Sequence, residues 1–291
     1  MSRCALTSAV IAAALALGAP RATGQSTAKN AAPFTTPRLS DGTPDFRGIW
    51  HVRGAAHINI EGHAADRNTT AERSFIFDPP DGKIPYLPDA LKQRDENYKN
   101  RATADPAANC YQAGVPRAVY LPTPFQIVQS PGNLAIVYTD NHAYRIVYPS
   151  TIPHDEGIEF FMGDSRGHWE GDTLVVDVIS LGDQTWLDEA GNFHSDQLHV
   201  VERYTLIDSN TMKYEATLDE AKVYSRPWSI RLLLDRDKHP AARIVEDECL
   251  EGPDGLWHHL SPYDSRALLR HNYEAELAAA AGKNQASEDK P

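Results

Sequence analysis

The chain is 291 residues long, with 41% apolar and 23% charged residues and a formal net charge of −12. That composition is globular and excludes disordered, collagen-like and coiled-coil chains. The excess of acids repels phosphate backbones and anionic lipid, which argues against nucleic acid or a membrane surface as a partner.

Residues 1–24 have the pattern of a secretory signal peptide. Arg3 supplies a positive start, Ala5 to Ala19 an apolar core, and Ala22-Thr23-Gly24 a small-residue cleavage site before Gln25. The apolar run is too short to span a bilayer, and no later stretch is longer. The sequence therefore predicts a periplasmic or secreted protein without membrane insertion. Cleavage would remove Cys4 and leave Cys110 and Cys249. Neither lies in a thiol-catalysis or metal-binding motif, so the expectation in an oxidising compartment is a structural disulfide between them.

Residues 25–44, rich in Ser, Thr, Ala and Pro, read as an extended leader. The core is expected to begin at Pro44-Asp45-Phe46-Arg47-Gly48-Ile49-Trp50, with Trp50 as an apolar anchor. Residues 51–73 show no period and read as a long loop holding His51, His57 and His63, either a solvated segment or a cover for a site. Leu87 to Arg101 is the best internal helix, started by Pro88-Asp89. From Val119 onward the pattern changes to strands: Phe125–Gln129, Leu134–Thr139, Ala143–Tyr148, Thr173–Ile179, His199–Ile207, Met212–Leu218, Trp228–Leu234 and Arg243–Cys249. In 212–218 apolar and polar residues alternate strictly, the period of a half-buried strand. Arg266 to Ala281 reads as a short Ala-rich helix before a polar tail.

About eight consecutive strands with short turns and no alternating helices predict an antiparallel meander. Closing it removes exposed edges, and a barrel of about eight strands can hold one small ligand. The expected fold is mainly β: a single lipocalin-like (calycin-type) β-barrel domain over 45–265, with an irregular N-terminal segment and short helices.

No G-x-G-x-x-G, P-loop, G-x-S-x-G, H-E-x-x-H or C-x-x-C occurs, so no nucleotide cofactor, serine nucleophile or zinc site is predicted. A dense polar stretch remains. Met162 to Asp177 reads M-G-D-S-R-G-H-W-E-G-D-T-L-V-V-D, and Thr185 to Arg203 reads T-W-L-D-E-A-G-N-F-H-S-D-Q-L-H-V-V-E-R. With G-V-P-R at 114–117, P-F-Q-I-V-Q at 124–129 and H-A-Y-R-I at 142–146, the chain resembles a family of secreted, mostly uncharacterised bacterial proteins over roughly 105–250. The resemblance implies export and, from some relatives, lyase chemistry on lignin-derived aromatic compounds.

The residues themselves leave alternatives open. Alternation in 199–207 places His199, Val201, Arg203, Thr205 and Ile207 on one face and Val200, Glu202, Tyr204 and Leu206 on the other. Each face carries a charge, which must be paired or face a wet cavity if it lines a barrel. A wall salt bridge, a ligand-facing acid, base or anion clamp, and an exposed edge strand all fit. His194, Asp196 and His199 form H-x-D-x-x-H, which is not an established metal-ligand set. Asp183 and Asp188 bracket Trp186 in the loop entering the strand, suited to turn chemistry or to orienting a His. His142 and Arg145 lie on the neighbouring hairpin.

The sequence thus favours a cofactor-independent, metal-free lyase using acid–base chemistry on a hydrophobic aromatic small molecule. The base would be His199 or His194, oriented by Asp183, Asp188 or Glu202, with Arg203 or Arg145 stabilising oxyanion charge. Tyr138, His142, Trp186 and Trp228 would line the pocket. An isomerase, or a non-catalytic carrier of a similar molecule, is the alternative. The specific expectation is that His199 and Arg203 share one cavity.

Overall fold

The computed structural model describes residues 34–65, 70–155, 157–245, 247–251 and 257–260. The expected signal peptide and the 266–281 helix lie outside these residues. In chain order the elements are β1 (Gly48–Arg53), β2 (Ile76–Asp78), α1 (Pro88–Ala104), β3 (Phe125–Ser130), β4 (Asn133–Tyr138), β5 (Tyr144–Pro149), β6 (Asp164–Glu170), β7 (Thr173–Ile179), β8 (His199–Leu206), β9 (Thr211–Asp219), β10 (Trp228–Arg236), β11 (Glu248–Glu251) and β12 (Trp257–Leu260).

Strand β1 pairs with both β3 and β10, so β1 and β3–β10 form a closed nine-stranded barrel. The mainly β, calycin-like architecture read from the sequence is what the chain adopts. It departs from a pure meander at one seam, where β5 and β6 run parallel. Strand directions cannot alternate all the way round a ring of odd number, so one like-directed pair is required. The 150–163 connection carries the chain back along the barrel to make it, as parallel neighbours need a long crossover.

The alternation of β8 and β9 turns Val200, Glu202, Tyr204 and Leu206, and Met212, Tyr214, Ala216 and Leu218, into the barrel. Leu174, Val176 and Val178 from β7 meet them, with Ile230, Leu232 and Leu234 from β10. Each fully buried side chain of this size contributes about 1.5–3 kcal/mol relative to exposure. The outward face carries Asp177, Arg203, Lys213, Glu215 and Arg231 on successive strands, unlike the apolar band of a lipid-facing barrel.

One end of the barrel is closed by short turns at 131–132, 171–172 and 207–210. There Gln129 accepts from the Phe46 amide (3.0 Å) and donates to the Pro44 carbonyl (2.9 Å). Trp50 is fully buried, donating from Nε1 to the Phe46 carbonyl, and Phe46 packs edge-on against Trp169. The described part of the leader is fastened at this end: Thr36 and Arg38 both bond to Asp172. The other end carries the long connections 54–75, 79–124, 180–198 and 220–227, which bury Val119, Tyr120, Leu187 and Leu198 over the barrel mouth.

Three local expectations are corrected. The 51–73 loop begins only after Arg53, because β1 is needed to close the ring. Asp164–Glu170 is a strand despite its polarity, because only Ser165, Gly167 and Trp169 face inward. A Cβ on Gly167 would lie 2.5 Å from Val147 Cγ1, so glycine there permits the close approach of β5 and β6. The expected strand Arg243–Cys249 forms only from Glu248, and it pairs with β12 as a hairpin separate from the barrel. Cys110 and Cys249 are disulfide-bonded, with Cα atoms 5.4 Å apart across 139 positions of sequence. Helix α1 buries none of its residues; Asn97 fixes it to the Gly191 carbonyl.

Candidate functional site

The inward face of β8 decides which charge the barrel holds. Glu202 is 0% exposed and faces Arg145, itself 3% exposed, in a two-pronged ion pair. Tyr204 and Tyr214 donate to the same carboxylate oxygen at 2.8 and 2.9 Å, and Arg145 donates to the Tyr204 hydroxyl at 3.0 Å. A carboxylate in a dry core is costly unless its oxygens are all engaged, which four donors achieve here. Burial works against the Arg145 charge, but the facing carboxylate outweighs it and raises the pKa well above the usual arginine value. Burial, followed by the charge of Glu202, raises Tyr204 and Tyr214 well above the usual phenol value. Tyr138, its ring tilted against Phe125, is pushed up to about 12 by burial.

Arg145 also reaches a cleft. The parallel pair β5–β6 is in register only from Val147 to Pro149, so the first half of β5 stands apart from β6. A cleft of about 660 Å³ opens there, within the range of small-molecule sites. Arg145, Met162 and Ser165 form its floor; Tyr144, Tyr148, Phe160 and Phe161 line its walls; Asp155 and Glu159 stand at its rim. Tyr144 is 64% exposed and Phe160 41%. Large exposed rings grouped together mark a contact surface. At the floor, Arg145 Nε and Ser165 Oγ are buried and make no hydrogen bond among the described residues.

A second polar chain runs along the outside of the wall beside the cleft. Arg166 pairs with Asp164, whose other oxygen accepts from the Asp155 amide (3.0 Å) and meets His154 Nδ1 (2.9 Å). His154 Nε2 lies 2.9 Å from Asp177, and the second Asp177 oxygen lies 2.7 Å from His199 Nε2. Burial by itself would raise Asp164; the Asp155 amide, His154 and Arg166 outweigh it and hold the carboxyl below its usual range.

His199 and Arg203 therefore share no cavity. They point outward, His199 to Asp177 and Arg203 to Glu170 at 2.8 Å, because the opposite face of β8 carries the larger apolar residues the core requires. Glu202 is inside, but its oxygens are committed to four donors. His194 is buried in the cap between Thr185 (2.7 Å) and the Ser195 carbonyl (2.9 Å), and burial lowers its pKa. Asp188, 0% exposed, accepts from the amides of Ile60, Ala190 and Asn192 and from the Asn192 side chain. Burial nonetheless pushes its pKa up to about 7. It organises the loop. Asp183 is exposed on the same loop, and His142 is exposed at the β4–β5 turn. Trp186 is buried in the cap, where it bridges to Phe193. Trp228 is fully buried against Tyr224. Of the three early histidines, His51 meets Asp237 and His63 its neighbour's carbonyl. His57 is partly buried, and desolvation lowers its pKa to about 4.

Among the residues expected at a site, the structure brings together Tyr138, Arg145 and Glu202, and only Arg145 lines the cleft. Ser165, Asp164, His154, Phe160 and Phe161 were not singled out. Asp164 and Ser165 sit in the 162–177 motif and carried a signal; His154, Phe160 and Phe161 carried none.

Among the described residues no group of three or more His, Cys, Asp or Glu is arranged to hold a metal ion, and no helix is long and apolar enough to cross a membrane. No known family model matches the chain, and no curated protein is significantly similar to it.

Proposed function

We propose that the protein binds an aromatic small molecule in the cleft between β5 and β6, with an oxygen of the ligand accepting from Arg145 Nε and Ser165 Oγ. The observation that carries this reading is the open seam, where exposed rings surround two buried, unpaired polar atoms. Buried donors without partners are costly, and a ligand oxygen would relieve that cost. The rings supply the apolar contact typical of such sites. A suitable probe is 4-hydroxyacetophenone, an uncharged phenolic ketone, titrated by calorimetry. Phe160→Ala and Ser165→Ala should each weaken its binding several-fold while leaving the fold intact. Unchanged affinity in both variants would refute the assignment.

A lyase reading is favoured by one further contact. The Asp164 carboxylate borders the cleft and is held from behind by His154 and Arg166, and a positioned carboxylate can take a proton from a bound ligand. In this reading Asp164 replaces His199 as base, His154 positions it, and Arg145 stabilises developing oxyanion charge. Incubation with a panel of lignin-derived aromatics, followed by mass spectrometry, tests it. Products formed by the native chain but not by Asp164→Asn support it; no products from any substrate leave the protein a carrier.

Export is part of the same proposal. The Cys110–Cys249 disulfide favours an oxidising compartment. Amino-terminal sequencing of protein from the periplasm or culture medium should begin at Gln25.

A further inference from the structure

We propose that the aromatic patch around the cleft is the docking surface for this chain's own C-terminal segment, residues 266–281, which competes with ligand there. The inference rests on the binding reading for its regulatory consequence but not for the docking itself.

The chain leaves the described structure beside the patch. In the β11–β12 hairpin, Cys249 lies opposite His259 and Glu248 opposite Leu260. Cys249 is bonded to Cys110. The next residue, Tyr111, packs its ring 5.5 Å from Phe161 on the cleft wall. Position 260 is thus held close to the cleft by a covalent tether. The five residues from Ser261 to Ser265 span at most about 17 Å when extended, enough to bring the following segment over the patch.

The segment matches what it would cover. The patch is apolar and ring-rich: Tyr144, Ile146, Tyr148, Phe160 and Phe161 are all exposed there. In helical spacing Leu269, Tyr273 and Leu277 fall four apart on one stripe, which is how an amphipathic helix presents anchors to an apolar groove. Arg266 and Arg270 lie beside that stripe near its start. The exposed acids Asp155 and Glu159 stand at the cleft rim. Apolar stripe meets apolar patch and bases meet acids. An intramolecular occupant also has the advantage of high effective concentration through a short tether.

Hydrogen–deuterium exchange on the full chain tests this, comparing the native protein with Leu269→Asp/Tyr273→Asp and, separately, with Arg266→Glu/Arg270→Glu. Faster exchange in 144–149 and 157–163 is expected in both variants, most in the first, with 4-hydroxyacetophenone bound several-fold more tightly. Unchanged exchange in both variants overturns the docking. So does protection that disappears on dilution together with a dimer seen by light scattering, since the occupant is then a second copy. If exchange rises and the ketone binds no chain at all, the docking stands and the ligand reading falls. If exchange is unchanged and the ketone binds, the reverse holds.

Discussion

Two polar clusters lie on opposite sides of the same wall, and their chemistry is nearly identical. Inside, Arg145, Glu202, Tyr204 and Tyr214 form a dry network. Outside, Arg166, Asp164, His154, Asp177 and His199 form a chain that water can reach at several points. Burial separates them. Inside, each group depends on its partner, because nothing else can satisfy it; outside, Arg166 and Asp164 are still buried, and water replaces what is lost only towards Asp177 and His199. A charged group on a strand therefore has a structural or a replaceable role according to how fully it is covered, whichever face it occupies.

The largest expected effect breaks the inner cluster. Glu202→Ala leaves Arg145 buried and uncompensated and should cost about 3–5 kcal/mol in urea denaturation. Replacing the pair together, Arg145→Leu with Glu202→Leu, should recover most of that loss, because the penalty is the orphaned charge. A single-variant cost below about 1 kcal/mol would make the two clusters equivalent and dissolve the contrast.

The cap offers an intermediate case, where buried groups titrate without an ion pair. His57 has a folded pKa of about 4, so the unfolded chain takes up its proton first. Its contribution is complete above its ordinary value of about 6.5 and is lost as pH falls towards 4, about 3 kcal/mol in all. Asp188, raised to about 7, acts in the opposite sense: its contribution is complete below about 4 and is lost as pH rises through 7. The two oppose each other between pH 4 and 7, with His194 acting in the sense of His57 and Glu189 and Glu220 in the sense of Asp188. His57→Gln should remove one contribution to that balance, so that stability rises less, or falls more, with pH over this range than in the native chain. A variant profile with the native slope would show that His57 is not shifted in the folded protein.

Smaller effects belong to the outer chain. His154→Ala removes a contact between the 150–163 connection and β7 and should cost about 1 kcal/mol, with faster exchange in 157–163. His199→Ala should change stability by less than about 0.5 kcal/mol and leave 4-hydroxyacetophenone affinity unaltered. A substantial loss of binding in His199→Ala would return that residue to the site.

The strands from β3 to β10 were mostly legible because their inward residues are large and alternate with polar ones, as in Met212, Tyr214, Ala216 and Leu218. Strand β6 was not, because its inward positions include Ser165 and Gly167, which carry little hydrophobic signal. The orientation of β8 was equally hidden. Glu202 and Arg203 are neighbours with one charge for each face, and nothing within 199–207 ranks one above the other. The choice is made by Arg145, 57 positions earlier, and by Tyr214 on the next strand.

Local pattern by itself determined the mainly β class, the helix near Pro88 and the two alternating faces of β8, since each follows from nearest-neighbour geometry along the chain; the cysteine pair followed from counting, because removal of Cys4 leaves only Cys110 and Cys249. Tertiary structure alone decided that nine strands close with one parallel seam and that the seam opens a cleft. It also decided that Glu202 is enclosed while His199 is not. Those outcomes depend on ring closure and on which distant side chains meet across the barrel, and such contacts have no period for a sequence to display.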